Sequence, residues 1–284
     1  AVSAYCNAGF DLMGAETGQF SSLGGFVSSP LVNITISLLI LCGGLGFSVW
    51  GDVFTKKKVK RYGVQSKIVL SFTFFLILVP SLYFYFAEFS SEAWKETLSG
   101  EERVLASLFQ SVTPRTAGFN TVDYAKMSEA GRAVTIVLMM IGGSSGSTAG
   151  GMKITTVAVL LYSAVSVFRK RKEVRCFGRR IEEDTVKQAA TISFLYILLF
   201  AAGGIAISAI EDLPVLDCLF ESASAVATVG LTVGITSTLS LASRLILIFL
   251  MYFGRVGGLT LLTAVLFGRK TEDGRLPVCT IAVG

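Results

Sequence analysis

Histidine is absent from all 284 residues of this chain. Without an imidazole there is no Ser-His-Asp triad, no HExxH zinc site and no histidine general base. Charge is scarce as well: Asp, Glu, Lys and Arg make up 16% of the sequence, against roughly a quarter in a soluble domain. Proline numbers 5 beside 29 glycines, so the glycine does not belong to a disordered Gly/Pro-rich chain. Cys6, Cys42, Cys176, Cys218 and Cys279 stand apart with no CxxC pair, which indicates neither a disulfide framework nor a zinc site. The chain opens on Ala-Val-Ser-Ala-Tyr-Cys-Asn, with neither a start Met nor a signal peptide. The expectation is that a further segment precedes it.

What is abundant is apolar surface, at 52% of residues and a mean hydropathy of +0.66. Long apolar runs point to an all-α polytopic membrane protein. Five stretches approach the ~20 apolar residues a span requires: 31–50, 66–87, 131–168 (interrupted), 186–210 and 241–267. The charges between them sort by sign. The connections 55–61 and 169–180 and the stretch from Arg269 to Arg275 are basic, and by the positive-inside rule they face the cytoplasm. Glu88, Glu92, Glu96, Glu101, Glu102, Glu211, Asp212 and Asp217 then lie outside. The expected product is a multi-pass protein of the plasma membrane, a bacterial inner membrane, with a cytoplasmic C-terminus. The net charge of +5 follows from this sorting and implies no nucleic-acid partner; the partner is the lipid bilayer.

Two apolar helical patterns, 101–113 and 214–228, are too short to cross and read as re-entrant segments entering from outside. Each leads into a related string. Thr116-Ala117-Gly118-Phe119 follows the first and Thr228-Val229-Gly230-Leu231 the second, while Asn7-Ala8-Gly9-Phe10 stands at the start of the chain. Gly9, Gly118 and Gly230 are 109 and 112 residues apart, and a fixed period is architectural information. It divides the chain into a partial repeat at 1–62, a full one at 63–184 and another at 185–284. Further glycines recur in the inner helices, at Gly43-Gly44-Leu45-Gly46 and Gly254-Arg255-Val256-Gly257; taken alone, these read as close helix packing.

A re-entrant helix that stops within the membrane turns its partially negative C-terminal end toward the centre, which favours a cation. A glycine-centred loop beyond it can aim several carbonyl oxygens at one axis, and rings of carbonyls replace the hydration shell of a monovalent cation. Arg115 is expected to clamp carboxylates or carbonyls behind such a loop, at Asp123 or Glu221. The third span holds ten small residues, Gly142-Gly143-Ser144-Ser145-Gly146-Ser147-Thr148-Ala149-Gly150-Gly151. Five glycines at a cost of about 1 kcal/mol each relative to Ala break a helix, and the stretch suits a movable barrier below the loops. Arg255, at the corresponding level of the last inner helix, reads as an electrostatic element of the same gate. Enzyme readings of this stretch fail. Gly143-Ser144-Ser145-Gly146 resembles a serine-protease nucleophile string but lacks a histidine base. Met152 separates Gly151 from Lys153, where a phosphate loop needs Lys directly after Gly.

These strings, together with Ser3-Ala4-Tyr5-Cys6 before the first and Asn120-Thr121 after the second, resemble the Trk/Ktr/HKT superfamily of potassium transporters, and the membrane subunit of the Ktr and Trk type in particular. The resemblance covers essentially the whole chain, departing at Val226-Ala227. It implies helix–pore-loop–helix units arranged pseudo-fourfold around one pore, with Asn7, Ala8, Gly9, Phe10, Thr116, Ala117, Gly118, Phe119, Thr228, Val229, Gly230 and Leu231 in the selectivity filter. It makes 142–151 the intramembrane gating loop. It implies potassium as transported ion, with sodium the second candidate, no organic cofactor, a homodimer and a cytoplasmic nucleotide-binding regulatory ring. A sodium- or proton-coupled symporter and a non-conducting scaffold or receptor-like subunit are the alternative functions.

Overall fold

A computed structural model describes residues 1–14, 18, 21–56, 58–171 and 173–257. The Arg269–Arg275 stretch, the end of the 241–267 span, Cys279 and the tail to Gly284 lie outside the described residues.

The chain begins with a one-turn helix, α1 (Val2–Tyr5), which packs on α2 (Pro30–Leu45). Pro30 opens α2 at a position where its missing N–H costs nothing. Gly46, at φ 86°, ends it, and α3 (Phe47–Thr55) departs at 95°. α4 (Val64–Tyr83) runs on through a π turn, Phe84–Glu88, into the four-residue α5 (Glu92–Lys95). α6 (Gly100–Val112) starts from a capping box: Ser99 Oγ accepts from the Glu102 amide and Glu102 reaches back to the Ser99 amide. Pro114 follows the C-cap Thr113, and its missing N–H denies α6 a further intrahelical bond. α7 (Glu129–Met140) and α8 (Ile154–Phe168) are separated by a non-helical stretch, 141–153. A hairpin, β1 (Arg175–Cys176) and β2 (Arg179–Arg180), leads into α9 (Glu183–Glu211), α10 (Val215–Val226) and α11 (Leu241–Val256).

The 241–267 stretch runs beyond the described residues, so the expectation of five spans is compared only over the rest. Val64–Glu88 and Glu183–Glu211 are each long and apolar enough to cross a membrane, and the α2–α3 pair joins them only if the bent pair counts as one span. The 131–168 stretch is broken where the small-residue run predicts. Glycine accounts for both inner-helix breaks: Gly46 and the residues around Gly142–Gly151 adopt conformations that end a helix. The hairpin was not expected; Phe177 and Gly178, at φ 45° and 77°, form its turn, and positive φ at both central residues matches a type I′ connection.

The two re-entrant patterns fold as short helices, and their second halves are buried on every side. From Phe220 to Val226 each residue of α10 is buried, and so are Ala106, Ser107 and Phe109–Val112 of α6. α6 packs against α4 and α2; α10 packs against α9, α11 and α7. Each short helix is thus wedged between its own outer helix and neighbouring inner helices.

A carboxylate fixes the outer ends. Glu88, which the π turn carries, accepts from the Ser128 amide (2.8 Å) and hydroxyl (2.5 Å) at the N-cap of α7. Glu211, at the end of α9, accepts from the Ser240 amide (2.9 Å) and hydroxyl (2.5 Å) at the N-cap of α11. The same side-chain chemistry therefore joins outer to inner helix twice.

Candidate functional site

The three glycine-centred loops meet. A Cβ on Gly9 would stand 2.7 Å from the Ala117 carbonyl oxygen, and one on Gly118 would overlap the Val229 carbonyl and lie 3.3 Å from the Gly9 Cα. Gly230 follows at 3.9 Å from the Gly118 Cα by the same measure. The backbone is alike in all three: φ is positive at Gly9, Gly118 and Gly230 (72°, 82°, 88°) and also two residues earlier, at Asn7, Thr116 and Thr228 (50°, 64°, 55°). Only glycine occupies this region without strain, so a β-branched Thr there is a genuine outlier.

Helix termination produces this geometry. Asn7 N–H donates to the Ala4 carbonyl and Ala8 N–H to that of Ser3; at the equivalent place Thr228 N–H donates to Ala225 and Val229 N–H to Ser224. This pairing is the Schellman closure, with a left-handed residue just past the helix end. Pro114 removes one donor from the third loop, where Ala117 N–H donates to Thr113 instead and the Thr113 hydroxyl donates to the Phe119 carbonyl at 2.6 Å. The hydroxyls of Thr116 and Thr228 are buried and have no hydrogen-bond partner among the described residues.

Glycines of the inner helices let these loop ends seat. A Cβ on Gly43 would overlap the Tyr5 carbonyl, and one on Gly254 the Val226 carbonyl, so two helices approach two loop ends through the same small residue. The packing reading of these glycines fits the observed contacts.

The 142–151 stretch lies beneath the loops. Ser144 N–H donates to the Gly44 carbonyl (2.9 Å) and Thr148 N–H to that of Gly43 (3.4 Å). Both carbonyls belong to the last turn of α2, which has no intrahelical donor left to satisfy them. The Thr148 hydroxyl lies within hydrogen-bond distance of the Tyr5 carbonyl (3.1 Å) and Asn7 Oδ1 (3.0 Å), directly joining this stretch to the first glycine loop. On the other side, Arg255 Nη1 donates to the Thr148 carbonyl at 2.9 Å, and Lys153 Nζ donates to the adjacent Ala149 carbonyl at 2.5 Å. One cation from α11 and one at the N-cap of α8 thus hold successive carbonyls. Arg255 was singled out from sequence. Lys153 was not, although a cation in the middle of the apolar 131–168 stretch was signal enough.

Arg115 corrects another expectation. It meets neither Asp123 nor Glu221: its Nη2 donates to the Thr73 hydroxyl on α4 (3.2 Å), and its Nε and Nη1 have no partner among the described residues. Asp123 instead accepts from the Ala125 amide. The Glu221 carboxylate accepts from the Thr232 hydroxyl (2.5 Å), the Val233 amide (3.1 Å) and the Thr236 hydroxyl (2.6 Å), which pins the chain just after Gly230. A carboxylate that holds its own loop is unavailable to a distant guanidinium. Glu221, Ala8, Gly230 and Arg255 line a cavity of about 720 Å3 that runs along this side of the loops.

Membrane-length apolar helices, short buried helices between them and an interrupted inner helix describe an all-α membrane protein. Comparison with known proteins gives the family. A family model described as "TrkH: Cation transport protein" matches residues 1–270. The chain belongs to this TrkH family, a family of transporters rather than enzymes. The potassium/sodium uptake protein NtpJ of Enterococcus hirae is 40% identical over 291 residues, covering 100% of this chain and 63% of the relative. The Ktr system potassium uptake protein B of Bacillus subtilis is 37% identical over 276 residues, covering 97% and 60%. The crystal structure of the potassium transporter TrkH from Vibrio parahaemolyticus superposes with a TM-score of 0.74 at 22% identity, over 94% of this chain and 57% of that one, a likeness of fold. The chain spans about three fifths of the length of the curated relatives it matches.

Proposed function

We propose that this chain carries potassium ions inward across the plasma membrane through a filter of backbone carbonyls at 7–10, 116–119 and 228–231. The observation that carries this reading is the meeting of Gly9, Gly118 and Gly230, each with positive φ and each two residues past a left-handed Asn or Thr. Loops of that shape at the ends of buried helices offer oxygen ligands and the partial negative charge of helix C-termini, which together compensate a dehydrated monovalent cation. The unpartnered hydroxyls of Thr116 and Thr228 add two more oxygens. On this reading the three loops belong to repeats 1–62, 63–184 and 185–284 of a pseudo-fourfold arrangement. The 142–151 loop, with Arg255 and Lys153, is the gate. The basic connections and the C-terminus face the cytoplasm, where a nucleotide-binding ring regulates a homodimer of the whole protein.

Sodium is the second reading for the ion, favoured by the printed name of the Enterococcus hirae relative. Expression of the full-length protein in potassium-uptake-deficient cells tests the proposal. Growth is restored at low external potassium, and Gly118→Asp or Gly230→Asp abolishes it while Gly100→Ala, at a helical glycine with open space around it, leaves it intact. Undiminished growth with either Asp variant sinks the filter; growth rescued by sodium and not by potassium transfers the site to sodium.

A further inference from the structure

Away from the loops, the basic connections 55–61 and 169–180 come together around one cavity of about 400 Å3. Lys56, Lys60, Arg61, Lys67 and Arg179 line it, and no acidic side chain does among the described residues. Two of the five cations are engaged: Lys56 pairs with Asp52 at 2.5 Å, and Lys67 Nζ donates to the Lys60 carbonyl at 2.9 Å. The Lys60, Arg61 and Arg179 side chains have no hydrogen-bond or ion-pair partner among the described residues. Like charges brought this close repel unless an anion sits between them.

The hairpin determines which arginine faces the cavity. Successive strand residues point to opposite sides. Arg180 pairs with Glu173 at 3.1 Å, while its neighbour Arg179 lines the cavity beside Phe177. Phe177 itself sits at φ 45°, an outlier conformation for a bulky residue.

The surroundings indicate where the anion comes from. α3 leaves α2 at 95° and ends at the cavity rim. It exposes Phe47 and Phe54, and Trp50 stacks on Phe54 at 5.5 Å. A short helix crosswise to a membrane helix, with exposed aromatics on one side and lysines at its end, matches an element lying in the bilayer interface.

We propose that this cavity binds the phosphate-bearing headgroup of an anionic phospholipid in the cytoplasmic leaflet, its acyl chains running along α3. The site rests on the orientation taken from the charge map and is independent of the filter. A free phosphate would satisfy the cations and leave the exposed face of α3 without a role. The test is native mass spectrometry of the full-length protein with phosphatidylglycerol and phosphatidylcholine. The wild-type protein retains phosphatidylglycerol preferentially. Lys60→Gln/Arg61→Gln/Arg179→Gln lowers that preference about 100-fold, from roughly fivefold per basic side chain at an anionic surface. The charge-preserving Lys60→Arg/Arg61→Lys/Arg179→Lys and the distant Lys95→Gln keep it. Equal retention of the two lipids, or an unchanged preference in the neutral triple variant, overturns the proposal. Displacement of phosphatidylglycerol by inorganic phosphate at equal concentration makes this a free-anion site and overturns the lipid assignment. Lost binding of a soluble protein partner with lipid preference intact assigns the surface to protein docking and also overturns it.

Discussion

Thr116 and Thr228 each combine two unfavourable features in one side chain. A non-glycine residue held in the left-handed region costs on the order of 1–3 kcal/mol, and a buried hydroxyl without a partner costs about 1–3 kcal/mol more. Both features occur at both positions, two residues before a loop glycine. A strained backbone and an orphaned oxygen at matching positions of two loops suit an ion ligand. Thr116→Val separates the two effects, since Val keeps the branched shape and removes the oxygen. The variant is expected to unfold at higher temperature, by about 1 kcal/mol of added stability from the lost polar atom, while its KM for potassium uptake rises. An unchanged KM alongside the higher stability would assign the hydroxyl no part in ion binding. The three glycines were legible because a motif repeated at a near-constant period. The left-handed Thr was not, because nothing in threonine's own preferences points there. Nor could local sequence pair Arg115, whose side-chain partner among the described residues, Thr73, lies 42 residues earlier.

Among the elements, the short helices followed their patterns closely: 101–113 and 214–228 were expected, and Gly100–Val112 and Val215–Val226 formed. Capping chemistry is local: Ser99 and Glu102 form a capping box three residues apart, and Pro214 stands directly before the second short helix. The clasps between outer and inner helices were not legible, because each joins residues 29 to 40 apart in sequence. In the charge map Glu88 and Glu211 served only as markers of the outer side. In the fold each takes up the free amide and hydroxyl of an N-cap serine, and Glu88 reaches its serine through a π turn after Pro80. Hydrogen bonds to a charged acceptor contribute about 1.5–3 kcal/mol each way they are broken. Glu88→Gln is expected to destabilise the protein by about 2 kcal/mol, and Ser128→Ala by a similar amount. The double variant should cost less than the sum, since both remove one interaction. Additive losses in thermal unfolding would mean that the clasp is not a unit.

For the whole molecule, the broken inner helix is the feature through which the parts act together. Ten small residues announced a break, and the break formed, but where the freed segment docks is a property of the assembled fold. The 142–151 stretch reaches back about a hundred residues to the unsatisfied carbonyls of Gly43 and Gly44, touches the first loop through Thr148 and Asn7, and is held from the far side by Arg255 and Lys153. It is therefore tied by hydrogen bonds to α2, to the first glycine loop and to α11. A segment held by a handful of hydrogen bonds to carbonyls opens at far lower cost than a packed helix. If it is the barrier, loosening its ties favours the open state. Arg255→Gln removes the bond to the Thr148 carbonyl and a positive charge from the pathway. We expect rubidium uptake into proteoliposomes to rise several-fold in this variant, and further when part of 144–149 is deleted. Lys153→Gln, which frees the neighbouring carbonyl, should raise it as well, and the double variant should exceed Arg255→Gln by less than the single effect of Lys153→Gln, because the two cations restrain one segment. Unchanged or reduced flux in protein that still folds would leave 142–151 a structural strap between repeats and return the barrier to the loops above it.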